Sequence, residues 1–174
     1  MTDTNNVLAL CQRYIECVES KDLYGVDKTL AEDTRQIFRH TKHVTEADVF
    51  DQVSSGGLKG TVVAVFKGKS EVLAYTKSLM SNFRMIKWID TEWRTSGSGK
   101  EIYFSGKGDM ITERSGKPYQ NVYVTRSDLY QGRIVDINEI SNALIYMGLG
   151  IAPNAVQIRG FGRALLRAFG IGAR

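Results

Sequence analysis

The sequence predicts an α+β fold: a strongly curved antiparallel sheet packed on three N-terminal helices, with a C-terminal helical tail. Three observations carry this. Apolar residues recur at helical spacing in the first half of the chain. From Met85 onward, strand-like runs alternate with turn residues. Tyr119 to Asn142 reads as two antiparallel strands joined at Gln131-Gly132, a two-residue loop whose Gly supplies a positive φ. At 174 residues, 43% hydrophobic and 24% charged, the chain fits one domain, 1–174, with a sizeable core.

Val7, Leu8, Cys11, Tyr14, Ile15 and Val18 form one stripe, which predicts a helix from about Val7 to Glu19. Ser20-Lys21-Asp22 breaks it, and Asp22 caps a second helix, Leu23 to about Ala31. Glu32-Asp33 ends that helix, and Thr34 to His40 is a strand. A short helix over Glu46 to Val53 precedes the loop Ser54-Ser55-Gly56-Gly57, and β-branched Thr61 to Phe66 reads as a strand. Gly68 turns the chain, and Ser70 is the expected N-cap of a helix running to about Phe83, with Tyr75 among its apolar residues.

The expected strands that follow are Ile86–Arg94, Glu101–Gly106, Gly108–Glu113, Asn121–Tyr130 and Arg133–Ser141. Gly97, Gly99, Gly106 and Gly108 read as turn and bulge glycines, without the strand–loop–helix setting that cradles phosphate. The tail, residues 148–174, predicts a helix from about Phe161 to Phe169 that covers a cavity or a dimer interface. If helical, it sets Arg159, Arg163 and Arg167 on one stripe and Phe161, Leu165, Ala168 and Phe169 on the other side.

Composition excludes some classes. No apolar run reaches the roughly 18 residues of a transmembrane span, and the polar start M-T-D-T-N-N lacks a signal peptide's basic and apolar segments. The expectation is a cytoplasmic protein with no membrane partner. The net charge of +4 is partly in the tail, so no nucleic-acid partner is implied; a basic-tail contact with a membrane or nucleic acid is the third-ranked alternative. Cys11 and Cys17 fall on different sides of one helix and read as packing residues. His40 and His43 fall on opposite strand faces, so no metal site is expected.

The hairpin carries the chemistry. Tyr119, Asn121, Tyr123, Thr125 and Ser127 form one row, and Ile137, Glu139 and Ser141 form a row on the return strand. If both rows share a face, Glu139 enters a pocket walled by hydroxyls and an amide. Burial there would raise its pKa and make it an acid or base usable near neutrality. The alternative is a wet face with Glu139 in solvent. His40 is a second candidate acid or base. Trp88 and Trp93 are oddly spaced, so only one is expected to face inward, where it would wall an aromatic substrate.

These patterns resemble the NTF2-like superfamily, a curved cone that includes ketosteroid isomerases and SnoaL-type polyketide cyclases. The opening Q-R-Y-I-E-C-V-E-S-K-D-L-Y-G-V-D-K-T-L-A-E-D is similar to the start of a ketosteroid isomerase, whose first-helix tyrosine donates to the substrate oxygen; Tyr14 falls on it. Y-Q-N-V-Y and G-R-I-V-D-I-N-E-I-S-N, with Pro153 and Gln157-Ile158-Arg159, resemble the ending of the phenazine-biosynthesis A/B proteins. Those are dimers with an acidic glutamate, and Glu139 falls on it. The aspartate base of the isomerases has no counterpart in Thr34 to His40, their second acid would align near Thr125, and the phenazine proteins' histidine would align near Ala74 or Tyr75.

The resemblance therefore implies a homodimeric, cofactor-free small-molecule enzyme performing isomerisation, cyclisation or dehydration of a carbonyl-bearing or aromatic intermediate. Its expected catalytic residues are Glu139, Tyr14 and His40. Its expected substrate contacts are Asn121, Tyr123, Thr125, Ile137, Ser141, Tyr75 and Trp88. A non-catalytic ligand-binding or dimeric scaffold protein is the alternative.

Overall fold

The computed structural model describes residues 4–41, 46–57 and 60–170. In chain order these form α1 (Thr4–Glu19), α2 (Leu23–Thr29), β1 (Leu30–His40), α3 (Glu46–Ser54), β2 (Thr61–Lys67) and α4 (Lys69–Asn82). There follow β3 (Phe83–Met85), β4 (Trp88–Thr95), β5 (Glu101–Thr112), β6 (Pro118–Tyr130), β7 (Arg133–Ser141), α5 (Ala143–Met147) and α6 (Ala155–Ala168). His43, expected opposite His40, lies outside the described residues.

The strands form one open sheet in the order β2-β1-β7-β6-β5-β3, with β4 also on β5. All pairs are antiparallel except β1 and β7, which run parallel, Phe38 beside Glu139. That one parallel pair lies within the otherwise antiparallel sheet that the sequence predicts. Its strands are about a hundred positions apart, so no turn signal encodes it. The β6–β7 hairpin turns at Gln131 (φ 48°) and Gly132 (φ 70°), both left-handed, as a type I′ turn requires.

Helices α1, α2 and α4 pack on the inner face, around a core that includes Val18, Val26, Leu30, Phe66, Val72, Phe83 and Ile137. Cys11 and Cys17 are free and buried in it. The outer face carries a second cluster, in which Val49, Phe50 and Val53 of α3 cover Tyr103, Val124 and Ile140. At the start of α2 the Asp22 side chain accepts from the Gly25 amide at 2.8 Å. The helix stops at Thr29, earlier than expected. Leu30, a good helix former, is instead drawn into the sheet beside Ile134, and both are fully buried.

Four local expectations are corrected. The N-cap of α4 is Gly68, at φ 80°, not Ser70; Glu71 accepts from the Lys67 amide at 2.9 Å in place of a cap side chain. Gly106 and Gly108 lie within an unbroken β5, paired with Tyr123 and Asn121. A Cβ there would stand 2.8 Å from the Phe104 ring and 2.8 Å from the Tyr123 ring, so these glycines make room for aromatic walls. On β4 the register slips between Ile89 and Glu92, with Asp90 at φ 51°. The slip resets the alternation, so Trp88 and Trp93 both line the interior. Finally, α6 begins at Ala155, ahead of the expected Phe161, because Asn154 and Gln157 form a reciprocal capping box at 2.9 Å each way.

No helix among the described residues is long and apolar enough to cross a membrane.

Candidate active site

A register shift between Asp128 and Leu129 brings the two hairpin rows together on one face. Tyr123 faces Ser141, Thr125 faces Glu139 and Ser127 faces Ile137 across the β6–β7 ladder. These pairs project onto the inner face, opposite the face that Val124 and Ile140 present to α3. The cavity between that face and the helices has two parts. An inner lobe of about 40 Å³ is lined by Cys11 and Tyr14 of α1, Gln36 of β1, Thr76 of α4, and Thr125, Ser127 and Ile137 of the hairpin, with both tryptophans. An outer chamber of about 540 Å³ lies between Phe38, Phe66, Tyr119 and Ser141 on the sheet side and Phe161, Ala164 and Leu165 of α6. Tyr75, Leu79, Trp88, Tyr123 and Glu139 line both.

Glu139 therefore stands where the two parts meet. It is the only carboxylate among the described lining residues, and no His, Lys or Arg lines either part. Withdrawal from water pushes its pKa up to about 8, since burial penalises the charged form and no cation offsets it. At neutral pH the group is mostly protonated. Its charge, when present, acts on Tyr14, Tyr75, Tyr119 and Tyr123, whose own burial raises their pKa values, so all four stay neutral hydroxyls. Tyr14 has the Thr76 hydroxyl as a neighbour. Tyr123 donates to the Tyr119 oxygen at 3.0 Å.

The walls are aromatic. Tyr75 stacks on Phe66 with ring centroids 4.8 Å apart and lies 4.8 Å from Phe38. Trp88 meets Tyr123 edge-on at 6.1 Å, and Trp93 lies 4.6 Å from Phe104. The α6 cover is fixed by the Arg163–Glu71 ion pair, one arm of which is 2.8 Å long. Gly160 lets it lie close to the Phe66 ring, which a Cβ would approach to 2.6 Å.

Eight of the expected residues thus line the cavity: Glu139, Tyr14, Tyr123, Thr125, Ile137, Ser141, Tyr75 and Trp88. Two do not. His40 is absent from the lining; its Nδ1 accepts from the Ala143 amide at 3.2 Å, which ties the ring to the start of α5. Asn121 is also absent from it. Its amide donates to the Tyr119 oxygen at 3.0 Å and to the Asn142 carbonyl at 3.1 Å, so it braces a cavity residue from behind.

Sequence reasoning missed Gln36, Phe38 and Thr76. Gln36 stands between Arg35 and Ile37, and strand alternation alone would turn the isoleucine inward and the glutamine out. Here both Gln36 and Ile37 are 3% exposed, because β1 is covered on both faces. Among the described residues no group of three His, Cys, Asp or Glu side chains could hold a metal ion.

No family model matches the sequence, and no curated protein matches it. Solved structures do. An NTF2-like protein from Burkholderia pseudomallei is 21% identical, with 84% of this chain and 98% of that one covered and a TM-score of 0.61. A protein named as a SnoaL-like polyketide cyclase, from Jannaschia, is 14% identical, with 86% and 94% covered and a TM-score of 0.60. A phenazine biosynthesis-related protein from Pseudomonas aeruginosa is 13% identical, with 88% and 90% covered and a TM-score of 0.59. The chain has the NTF2-like fold.

Proposed function

We propose that the chain is a small-molecule enzyme that moves protons in this cavity without a cofactor. One observation carries the reading: the Glu139 carboxyl, whose pKa burial pushes up to about 8, lines an aromatic cavity together with the Tyr14 hydroxyl. A carboxyl protonated at neutral pH donates to a carbonyl or hydroxyl oxygen and takes a proton back from carbon, which is the requirement for isomerisation, cyclisation or dehydration. Tyr14 donates to the oxygen on which negative charge develops. Tyr123, Thr125 and Ser141 orient polar substituents, Tyr75 and Trp88 hold the apolar body, and Ile137 walls the inner lobe. The substrate class is a carbonyl-bearing or aromatic intermediate, in keeping with the printed names of the polyketide-cyclase and phenazine-related neighbours. A cytoplasmic homodimer completes the reading.

The test is deuterium exchange at the carbon next to the carbonyl of 2-tetralone, followed by NMR in D₂O. The wild-type protein should accelerate exchange, and Glu139→Gln should remove the acceleration. Equal acceleration by the variant would overturn the role of Glu139. Among the described residues no His, Lys, Arg or second carboxylate lines the cavity beside Glu139, which favours a second reading, a non-catalytic carrier of the same ligands. Saturable binding of 2-tetralone with no acceleration would support it.

A further inference from the structure

Two buried polar atoms on side chains that line the inner lobe have no hydrogen-bond partner in the protein: Oε1 of Gln36 and Nε1 of Trp88. Gln36 is 3% exposed, and both side chains line the inner lobe beside Tyr14, Thr125 and Glu139. Of the Gln36 amide, it is the oxygen, not the nitrogen, that is buried without a partner. An unmatched buried acceptor and donor are each costly, and native structures satisfy nearly all such groups. A shared small cavity is the setting in which one guest can satisfy both.

The guest's chemistry follows from the atoms. It must donate to the glutamine oxygen and accept from the indole N–H. A hydroxyl does both, whereas a carbonyl has no donor and an ammonium no acceptor. At about 40 Å³ the lobe has room for a hydroxyl group, and it is much smaller than the outer chamber. The apolar body of any ligand would then lie in the outer chamber, between Phe38, Phe66 and Phe161.

We infer that the inner lobe is a hydroxyl subsite, in which one hydroxyl donates to Gln36 and accepts from the Trp88 indole. This rests on the cavity being the substrate site proposed above. The hydroxyl belongs either to the substrate or to a water held next to Glu139. A substrate hydroxyl makes the two residues specificity determinants. A water makes the carboxyl's reaction partner one that adds to the substrate or leaves from it.

The full-length protein is tested with two probes of matched shape, 2-naphthol and 2-methylnaphthalene, by calorimetry and by crystal structures with and without 2-naphthol. For a substrate hydroxyl, 2-naphthol binds about tenfold more tightly, the worth of one hydrogen bond to a buried group. Gln36→Leu and Trp88→Phe each remove most of that preference, read as the ratio of the two probes' affinities for each variant. The crystal structure then has the naphthol oxygen between Gln36 and Trp88. For a water, the two probes bind alike, and an ordered water bonded to both side chains stays in place with and without the probe. The inference is overturned if the lobe is dry in both crystal structures, if Gln36 bonds Trp88 directly, or if a naphthol preference survives both substitutions. None of these readouts needs turnover, so a null result in the exchange assay on 2-tetralone leaves them interpretable.

Discussion

Glu139 shows how little local sequence says about a side chain's chemistry. Its neighbours Asn138 and Ile140 mark a strand, and alternation with Ile137 gives it a face, but neither sets its pKa. The pKa follows from having aromatic rings around the carboxyl and no cation beside it. In a substrate assay the activity should therefore fall as pH rises through about 8, as the proton donor ionises. Glu139→Gln should lower kcat by about 10² to 10⁴, the usual worth of general acid–base catalysis, at unchanged fold. Tyr14→Phe should have a smaller effect, read as lost kcat with KM little changed, because its hydroxyl acts on charge that develops only in the transition state.

At the scale of elements, two short features shape the cavity. Gly108 faces the Tyr123 ring, and an added Cβ would sit 2.8 Å from it. Gly108→Ala should cost about 1 to 3 kcal/mol in chemical denaturation, since the ring must shift within a packed wall. On the other side, α6 is latched by Arg163 to Glu71 of α4, a pair whose side chains are 32% and 20% exposed. Being half-screened by solvent, the pair is worth about 1 kcal/mol. Glu71→Gln should accordingly leave global stability nearly unchanged while speeding amide hydrogen exchange in α6. Exchange confined to α6 would mark it as a cover that moves separately from the sheet; no change in α6 would mean that packing of Gly160 on Phe66 suffices to hold it.

For the whole molecule, the same carboxyl links folding to pH. A glutamate in the unfolded chain ionises near 4.5, and in the folded protein near 8. Between those values the folded state holds the proton more tightly, so stability falls as pH rises from about 4.5 to 8 and levels off above. The loss is bounded at a few kcal/mol. Glu139→Gln, which cannot ionise, should be more stable than the wild type at pH 8 and differ little at pH 4.5, measured as Tm across that range. A gap that does not widen with pH would mean that the Glu139 carboxyl is solvated.

By itself the sequence determined the periodic elements and the hairpin. Helical spacing placed α1 and most of α4. Strand alternation with a Gln-Gly turn located β6 and β7. These are short-range properties, set by turn geometry and by a period of two, so they survive without knowledge of the rest of the chain. They do not include the register shift between Asp128 and Leu129, which no turn signal encodes and which put Glu139 opposite Thr125. Only the tertiary structure decided the others. In the middle of the sheet β1 is buried on both faces around Gln36 and Ile37, so Gln36 lies inward against what its neighbours suggest. The slip at Asp90 brings both tryptophans to the cavity. The start of α5 takes the His40 ring nitrogen as a cap. Each of these depends on segments meeting across tens of residues, where no periodicity within one segment carries the information.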